Sequence, residues 1–105
     1  MKKILFICTE GKNRSVTAAN LYKTRYDTKS LALIDTPFVN RNLEPELEWA
    51  DLIIVMEKWH ADTIKSYYPS LSKEIIVLNI PDNYIKNDPN LIQILKESLD
   101  EVLVF

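Results

Sequence analysis

The sequence predicts an α/β fold, a three-layer sandwich in which a four-stranded parallel sheet lies between helices. Three observations predict it. Four short apolar runs, at residues 4–8, 31–34, 52–56 and 75–78, recur at wide spacing and are nearly continuous, as strands covered on both faces are. The segments between them carry helical patterns, and alternation of strand and helix brings right-handed crossovers and parallel pairing. The chain of 105 residues contains one glycine, Gly11, where average usage gives about seven. So few positive-φ positions argue against a hairpin-rich sandwich or barrel.

Taken in order, the first run, Ile4-Leu5-Phe6-Ile7, ends at Cys8. Met1-Lys2-Lys3 precedes it, but the run is too short for the apolar region of a signal peptide. Residues 14–26 place Val16, Ala19, Leu21 and Tyr22 on one side of a helix. After the second run, residues 43–49 form a short helix or turn, with Trp49 packing under the third strand. Residues 58–67 form the next helix, where His60 reads as a surface residue beside Trp59. The last helix is the clearest: Asp88 caps it, Pro89 is its first residue, and Leu91, Ile92, Leu95, Leu99, Val102 and Leu103 follow at helical spacing. The length holds one domain, residues 1–105.

Composition narrows the function classes. A hydrophobic content of 47% with 27% charged residues excludes wholesale disorder. A net charge of −2 leaves no broad nucleic-acid-binding face, so any anion site must be local. One cysteine and one histidine build neither an intramolecular disulfide nor a Cys-rich zinc site, and no metal or cofactor is expected. No apolar stretch approaches the roughly 20 residues of a membrane span. The expectation is a cytoplasmic protein, monomeric and without membrane association.

In such sheets ligands bind beyond the carboxyl ends of the strands, which singles out the loops at 9–13, 35–41, 57–60 and 79–86. The first reads Cys8-Thr9-Glu10-Gly11-Lys12-Asn13-Arg14-Ser15. A short loop curling from strand to helix turns successive N–H groups inward as an anion nest. The helix N-terminus adds its unpaired donors and positive dipole end. Arg14 then offers a planar fork suited to two phosphate oxygens. The same field favours a thiolate at Cys8, to which Ser15 can donate a hydrogen bond. So tight a curl needs a residue at positive φ, and Gly11 lies inside it. Alone, Cys8 reads as a buried strand-end cysteine; with Arg14 and Ser15 at this spacing it reads as a nucleophile.

This stretch resembles the signature of the low-molecular-weight protein tyrosine phosphatases, Cys-x5-Arg-Ser after an N-terminal strand, and is closest to a compact prokaryotic branch of about a hundred residues. The resemblance extends to Ala50 through Lys58, similar to the family's third strand and the acidic position after its methionine. It also covers Ile80-Pro81-Asp82-Asn83-Tyr84, similar to the family's Asp-Pro-Tyr loop. It implies a doubly wound sheet in the order 2-1-3-4. The implied activity is a metal-independent phosphomonoester hydrolase acting on phosphotyrosine or aryl phosphates through a cysteinyl-phosphate. Its partners would be a phosphorylated protein or a small phosphoester. Residues 9–13, Ser15 and Tyr84 would bind substrate. The chain departs from the family pattern at Glu10, at Gly11 where asparagine is usual, at Asn13 where a second cysteine is usual, and at Asn83 where proline is usual.

Cleaving a phosphoester through a thiol needs a proton for the leaving oxygen and then a base for water, and one carboxylic acid can do both. Two aspartates follow the fourth strand. The resemblance places the acid at Asp82, with Tyr84 flanking an aromatic leaving group or packing in the core, whereas Asp88 reads as a helix cap. Phe38 and Arg41 read as cleft wall or surface turn. The alternatives are a phosphocysteine carrier like the IIB components of sugar phosphotransferase systems, and a weakly active phosphate-binding module suggested by Glu10.

Overall fold

The computed structural model describes residues 1–103, in which the elements run β1 (Lys3–Cys8), α1 (Arg14–Tyr22), β2 (Asp27–Ala32), β3 (Ile34–Asp35), β4 (Phe38–Val39), α2 (Leu43–Trp49), β5 (Leu52–Val55), α3 (Lys58–Tyr67), β6 (Ile75–Val77) and α4 (Pro89–Val102). Of the domain expected over 1–105, residues 104 and 105 lie outside the described residues. Four strands form one sheet in the order β2-β1-β5-β6, every neighbouring pair parallel. This is the 2-1-3-4 order that the resemblance implies.

The two faces of the sheet explain the unbroken apolar runs. Ile4, Phe6 and Cys8 of β1, with Leu52 and Ile54 of β5, face a core shared with α1 and α4. Leu5, Ile7, Ile53 and Val55 face the opposite core, closed by α2 and α3 through Leu43, Leu47, Ala61 and Ile64. A strand with a helical layer on each side has no position left for a polar residue. Tyr22 joins the first layer by donating its hydroxyl to Asp100 at 3.0 Å. Burial and that carboxylate push its pKa up to about 12.

Two local expectations need correction. The second strand begins at Asp27, ahead of the apolar run at 31–34. As an edge strand it has one neighbour and keeps exposed Asp27 and Lys29, so polarity disguises it. The helix expected over 14–26 ends at Tyr22, whose carbonyl accepts from both Arg25 and Tyr26. Asp27 then bonds the Lys2 carbonyl and opens the pairing with β1. A small antiparallel ribbon, β3 with β4, turns through a cis Thr36–Pro37 bond and needs no glycine. Elsewhere Asn79 (φ 59°) and Asn87 (φ 61°) take the left-handed conformations, the role asparagine fills most readily after glycine.

Asp88 caps α4 by accepting from the Asn90 amide at 2.8 Å, with Pro89 behind it. Asp88→Ala is expected to lower stability by about 1 kcal/mol in urea unfolding; an unchanged midpoint would show that the cap contributes nothing.

Candidate active site

The connection after β1 leads to β2 on one side, while the connection after β2 crosses to β5 on the other. The chain therefore diverges at the carboxyl ends of β1 and β5, where doubly wound sheets place their ligand crevice. Residues 9–13 occupy that point. Cys8 ends β1 buried, its Sγ 3.1 Å from Ser15 Oγ in the first turn of α1. Asn13, at the helix start, makes no side-chain capping bond, and the first turn holds no acidic residue. The helix thus presents its amino end to the loop without a carboxylate of its own.

Gly11 has φ +68°, and a Cβ there would lie 2.7 Å from the backbone nitrogen of Ala32. Two requirements coincide at this residue: a left-handed backbone and contact with the end of β2. The loop is held to the chain just past that strand by Leu33 donating to the Cys8 carbonyl at 2.9 Å and Ile34 to the Thr9 carbonyl at 3.0 Å.

Arg14 is 1% exposed, a cation in the interior. Its Nη1 donates to Glu57 Oε2 and to the Ile80 carbonyl, both at 2.7 Å, and its Nη2 to Thr9 Oγ1 at 3.3 Å. The guanidinium therefore gathers the carboxyl ends of β1, β5 and β6. Its Nε, by contrast, finds no hydrogen-bond partner among the described residues. The nearest carboxylate, Asp82, lies 3.7 Å away, an ion-pair distance beyond hydrogen bonding. Buried donors are almost always satisfied, so this orphan marks where an acceptor belongs. Arg14 lines a cavity of about 70 Å³ together with Cys8, Glu10, Lys12, Asn13 and Asp82. That space suits a small tetrahedral anion.

Around the rim, Glu10 and Lys12 turn outward and pair at 3.6 Å, 68% and 76% exposed. The Glu10 carboxylate is thereby kept from pointing at the buried sulfur. Tyr84 is half-buried against the core on the α1 and α4 side and does not line the cavity. Phe38 and Arg41 border a separate depression with Asp35, Thr36, Pro37 and Val39. Trp49 is half-buried against the α2 and α3 core, with the Lys29 ammonium 4.4 Å from its ring centre. Asp88 serves as the α4 cap and stands apart from the cavity.

His60 overturns its reading as a surface residue: it is fully buried. Its Nδ1 accepts from the Glu57 backbone N–H at 3.0 Å, and its Nε2 lies 2.9 Å from Thr9 Oγ1. Burial, helped by the Arg14 charge, pushes its pKa down to about 4. The hydrogen bond from Arg14 holds the Glu57 carboxyl below its usual range against the opposing effect of burial. The spacing Glu57-x-x-His60 at a helix start is a capping pattern with histidine in the distal place, a signal the sequence offered.

The fold is that of prokaryotic low molecular weight protein tyrosine phosphatases. The enzyme SP-PTP of that class, from Streptococcus pyogenes, superposes with a TM-score of 0.76 at 18% identity, over 100% of this chain and 95% of that one. The tyrosine phosphatase Wzb from Escherichia coli K30, solved with sulphate, gives 0.70 at 20% identity, over 96% and 95%. The YwlE arginine phosphatase from Geobacillus stearothermophilus gives 0.68 at 18% identity, over 98% and 93%. No protein-family model and no curated protein sequence matches the chain.

Two outcomes test this geometry. Gly11→Ala and Gly11→Asn are both expected to lower the melting temperature and weaken inorganic phosphate binding, because even asparagine, which tolerates positive φ, brings a Cβ against Ala32. Native behaviour of Gly11→Asn would mean that φ alone sets the requirement. For His60, the unfolded chain takes a proton near pH 6.5 and the folded chain only near 4. Stability is therefore complete above about 6.5 and falls as pH drops through 4, by roughly 2–3 kcal/mol. Urea unfolding between pH 7 and 4.5 reads this, and His60→Asn is expected to flatten the slope; an equal slope in that variant would assign the pH dependence to other groups.

Proposed function

We propose that the protein is a metal-independent, cysteine-dependent phosphomonoester hydrolase acting on phosphotyrosine or aryl phosphates. The observation that carries this reading is Arg14, which lines one cavity with Cys8 and whose buried Nε has no hydrogen-bond partner among the described residues. A guanidinium held on its other side by Glu57, Ile80 and Thr9 is preorganised to meet a phosphoryl group as charge spreads onto its oxygens. The amino end of α1 adds donors to the same space.

In this reading the Cys8 thiolate attacks phosphorus, the bond to the leaving oxygen breaks, and Asp82 gives that oxygen its proton. The products are an alcohol or phenol and a cysteinyl-phosphate. Asp82, now ionised, takes a proton from water as the hydroxide attacks phosphorus, and the sulfur–phosphorus bond breaks to release inorganic phosphate and the thiolate. Ser15, 3.1 Å from the sulfur, supports the thiolate as leaving group. Asp82 takes this role over Asp88 because it lines the cavity with Cys8, whereas Asp88 is engaged by Asn90. Of the remaining loop residues, Glu10, Lys12 and Asn13 line the cavity and frame the phosphoryl group, Thr9 and Gly11 hold the shape of the loop behind them, and Tyr84 stays with the core. The substrate is a phosphorylated protein or small phosphoester, met by a cytoplasmic monomer.

Hydrolysis of p-nitrophenyl phosphate is expected to proceed in EDTA and to be inhibited by vanadate. Cys8→Ser and Arg14→Lys are each expected to abolish turnover, the second because an ammonium lacks the fork. Asp82→Ala should lower kcat by about 10²–10⁴-fold, and Asp88→Ala should leave it unchanged. Activity that survives Cys8→Ser would remove the nucleophile from the scheme. Stable phosphocysteine without turnover would favour the carrier, and phosphate binding without either would favour the binding module.

A further inference from the structure

Arg14 touches the anion cavity, but what aims it lies behind it. We propose that His60 is a positioning residue for Arg14, acting through the Thr9 hydroxyl, which it holds in place to receive the guanidinium. The inference rests on the reading of Arg14 as the phosphoryl clamp.

The argument starts from donors and acceptors. The Glu57 backbone N–H can only donate, and it donates to His60 Nδ1 at 3.0 Å. Nδ1 therefore carries the lone pair, and in the neutral ring the proton is on Nε2. Nε2–H then donates to Thr9 Oγ1 at 2.9 Å. The same oxygen accepts from Arg14 Nη2 at 3.3 Å. Both lone pairs of Thr9 are thus occupied by fixed donors, one from each side, and the hydroxyl is locked at the end of β1. Two further groups on the element carrying His60 and on its neighbour complete the hold: the Glu57 carboxylate and the Ile80 carbonyl take the other guanidinium terminus. Glu57 thereby serves twice, its carboxylate on Arg14 and its backbone on the ring that fixes Thr9. The direction of every bond in the chain Glu57 N–H, His60, Thr9 is set by the first one, which the backbone dictates.

A long arginine side chain carries much rotamer freedom, and the single-point contact of Nη1 with Glu57 Oε2 leaves the guanidinium free to pivot about it. Thr9 supplies the contact on Nη2, the terminus that Glu57 does not reach. With both termini tied, the guanidinium and its unpaired Nε–H are held in one orientation where Arg14 lines the cavity with Cys8. His60 is fully buried and Thr9 is not among the residues that line the cavity, so His60 acts without touching substrate.

The two nitrogens of His60 have separate duties, and substitution separates them. Asparagine places its oxygen near the Nδ1 position and can keep the bond to Glu57, but it is too short to reach Thr9. Glutamine reaches the Nε2 position and can keep the bond to Thr9. His60→Asn and Thr9→Val are expected to weaken the binding of inorganic phosphate, measured by calorimetry on the whole chain, about tenfold each, the size of one lost hydrogen bond to a charged group. The double variant should be no weaker than either single one, because both break one linkage. His60→Gln should recover most of the affinity. In turnover of p-nitrophenyl phosphate the same variants should raise KM more than they lower kcat, with the pH profile unchanged. Native phosphate affinity in Thr9→Val, or additive losses in the double variant, would overturn the proposal. Should His60→Asn fail to fold, Thr9→Val and His60→Gln decide alone. Phosphate affinity is read without catalysis, so a wild-type protein that binds phosphate and does not hydrolyse would defeat the phosphatase reading while leaving this linkage to be judged on its own.

Discussion

One buried guanidinium organises this molecule. Arg14 belongs to the start of α1, yet its partners come from the ends of β1, β5 and β6, at sequence separations of 5, 43 and 66 residues. An unpaired buried cation would cost several kcal/mol, and removing one partner of a buried pair typically costs about 3–5 kcal/mol. The three carboxyl-end loops are therefore committed to one another through this side chain. The side chain that lines the cavity with Cys8 is also what closes that end of the sheet.

Much of this was legible in the sequence. The unbroken runs at residues 4–8 and 52–56 revealed central strands because burial on both faces leaves a plain apolar signature. Asp88-Pro89 revealed the last helix because capping chemistry is local. β2 was misplaced because an edge strand keeps polar residues, and its pairing with β1 is a long-range fact. In the site, the spacing from Cys8 to Ser15 marked the loop. His60 was missed because its partners are a backbone amide, which every residue has, and Thr9, 51 positions away. A buried polar residue on a short helix looks like a surface residue until its partners are known.

The rim has its own electrostatic character. Glu10, Asp82 and Glu57 bring three carboxylates to the neighbourhood of the cavity, against the cations of Arg14 and Lys12 and the amino end of α1. Their arrangement decides the balance. Glu57 is bound to the far terminus of Arg14, and Glu10 is turned outward against Lys12 at high exposure, where solvent screens it. Both carboxylates thus stand away from the orphaned Nε, whose nearest carboxylate is Asp82 at 3.7 Å, beyond hydrogen bonding.

The contact between Gly11 and Ala32 reaches beyond the shape of the loop. The Cys8 and Thr9 carbonyls are bonded by the amides of Leu33 and Ile34, just past the end of β2, and the glycine backbone lies against the same place. An edge strand with one neighbour is among the first parts of a sheet to open in local fluctuations. Here such an opening would release both loop carbonyls and the surface on which the loop rests. These contacts couple the outer strand to the loop at 9–13, so that opening of one is expected to expose the other to solvent exchange.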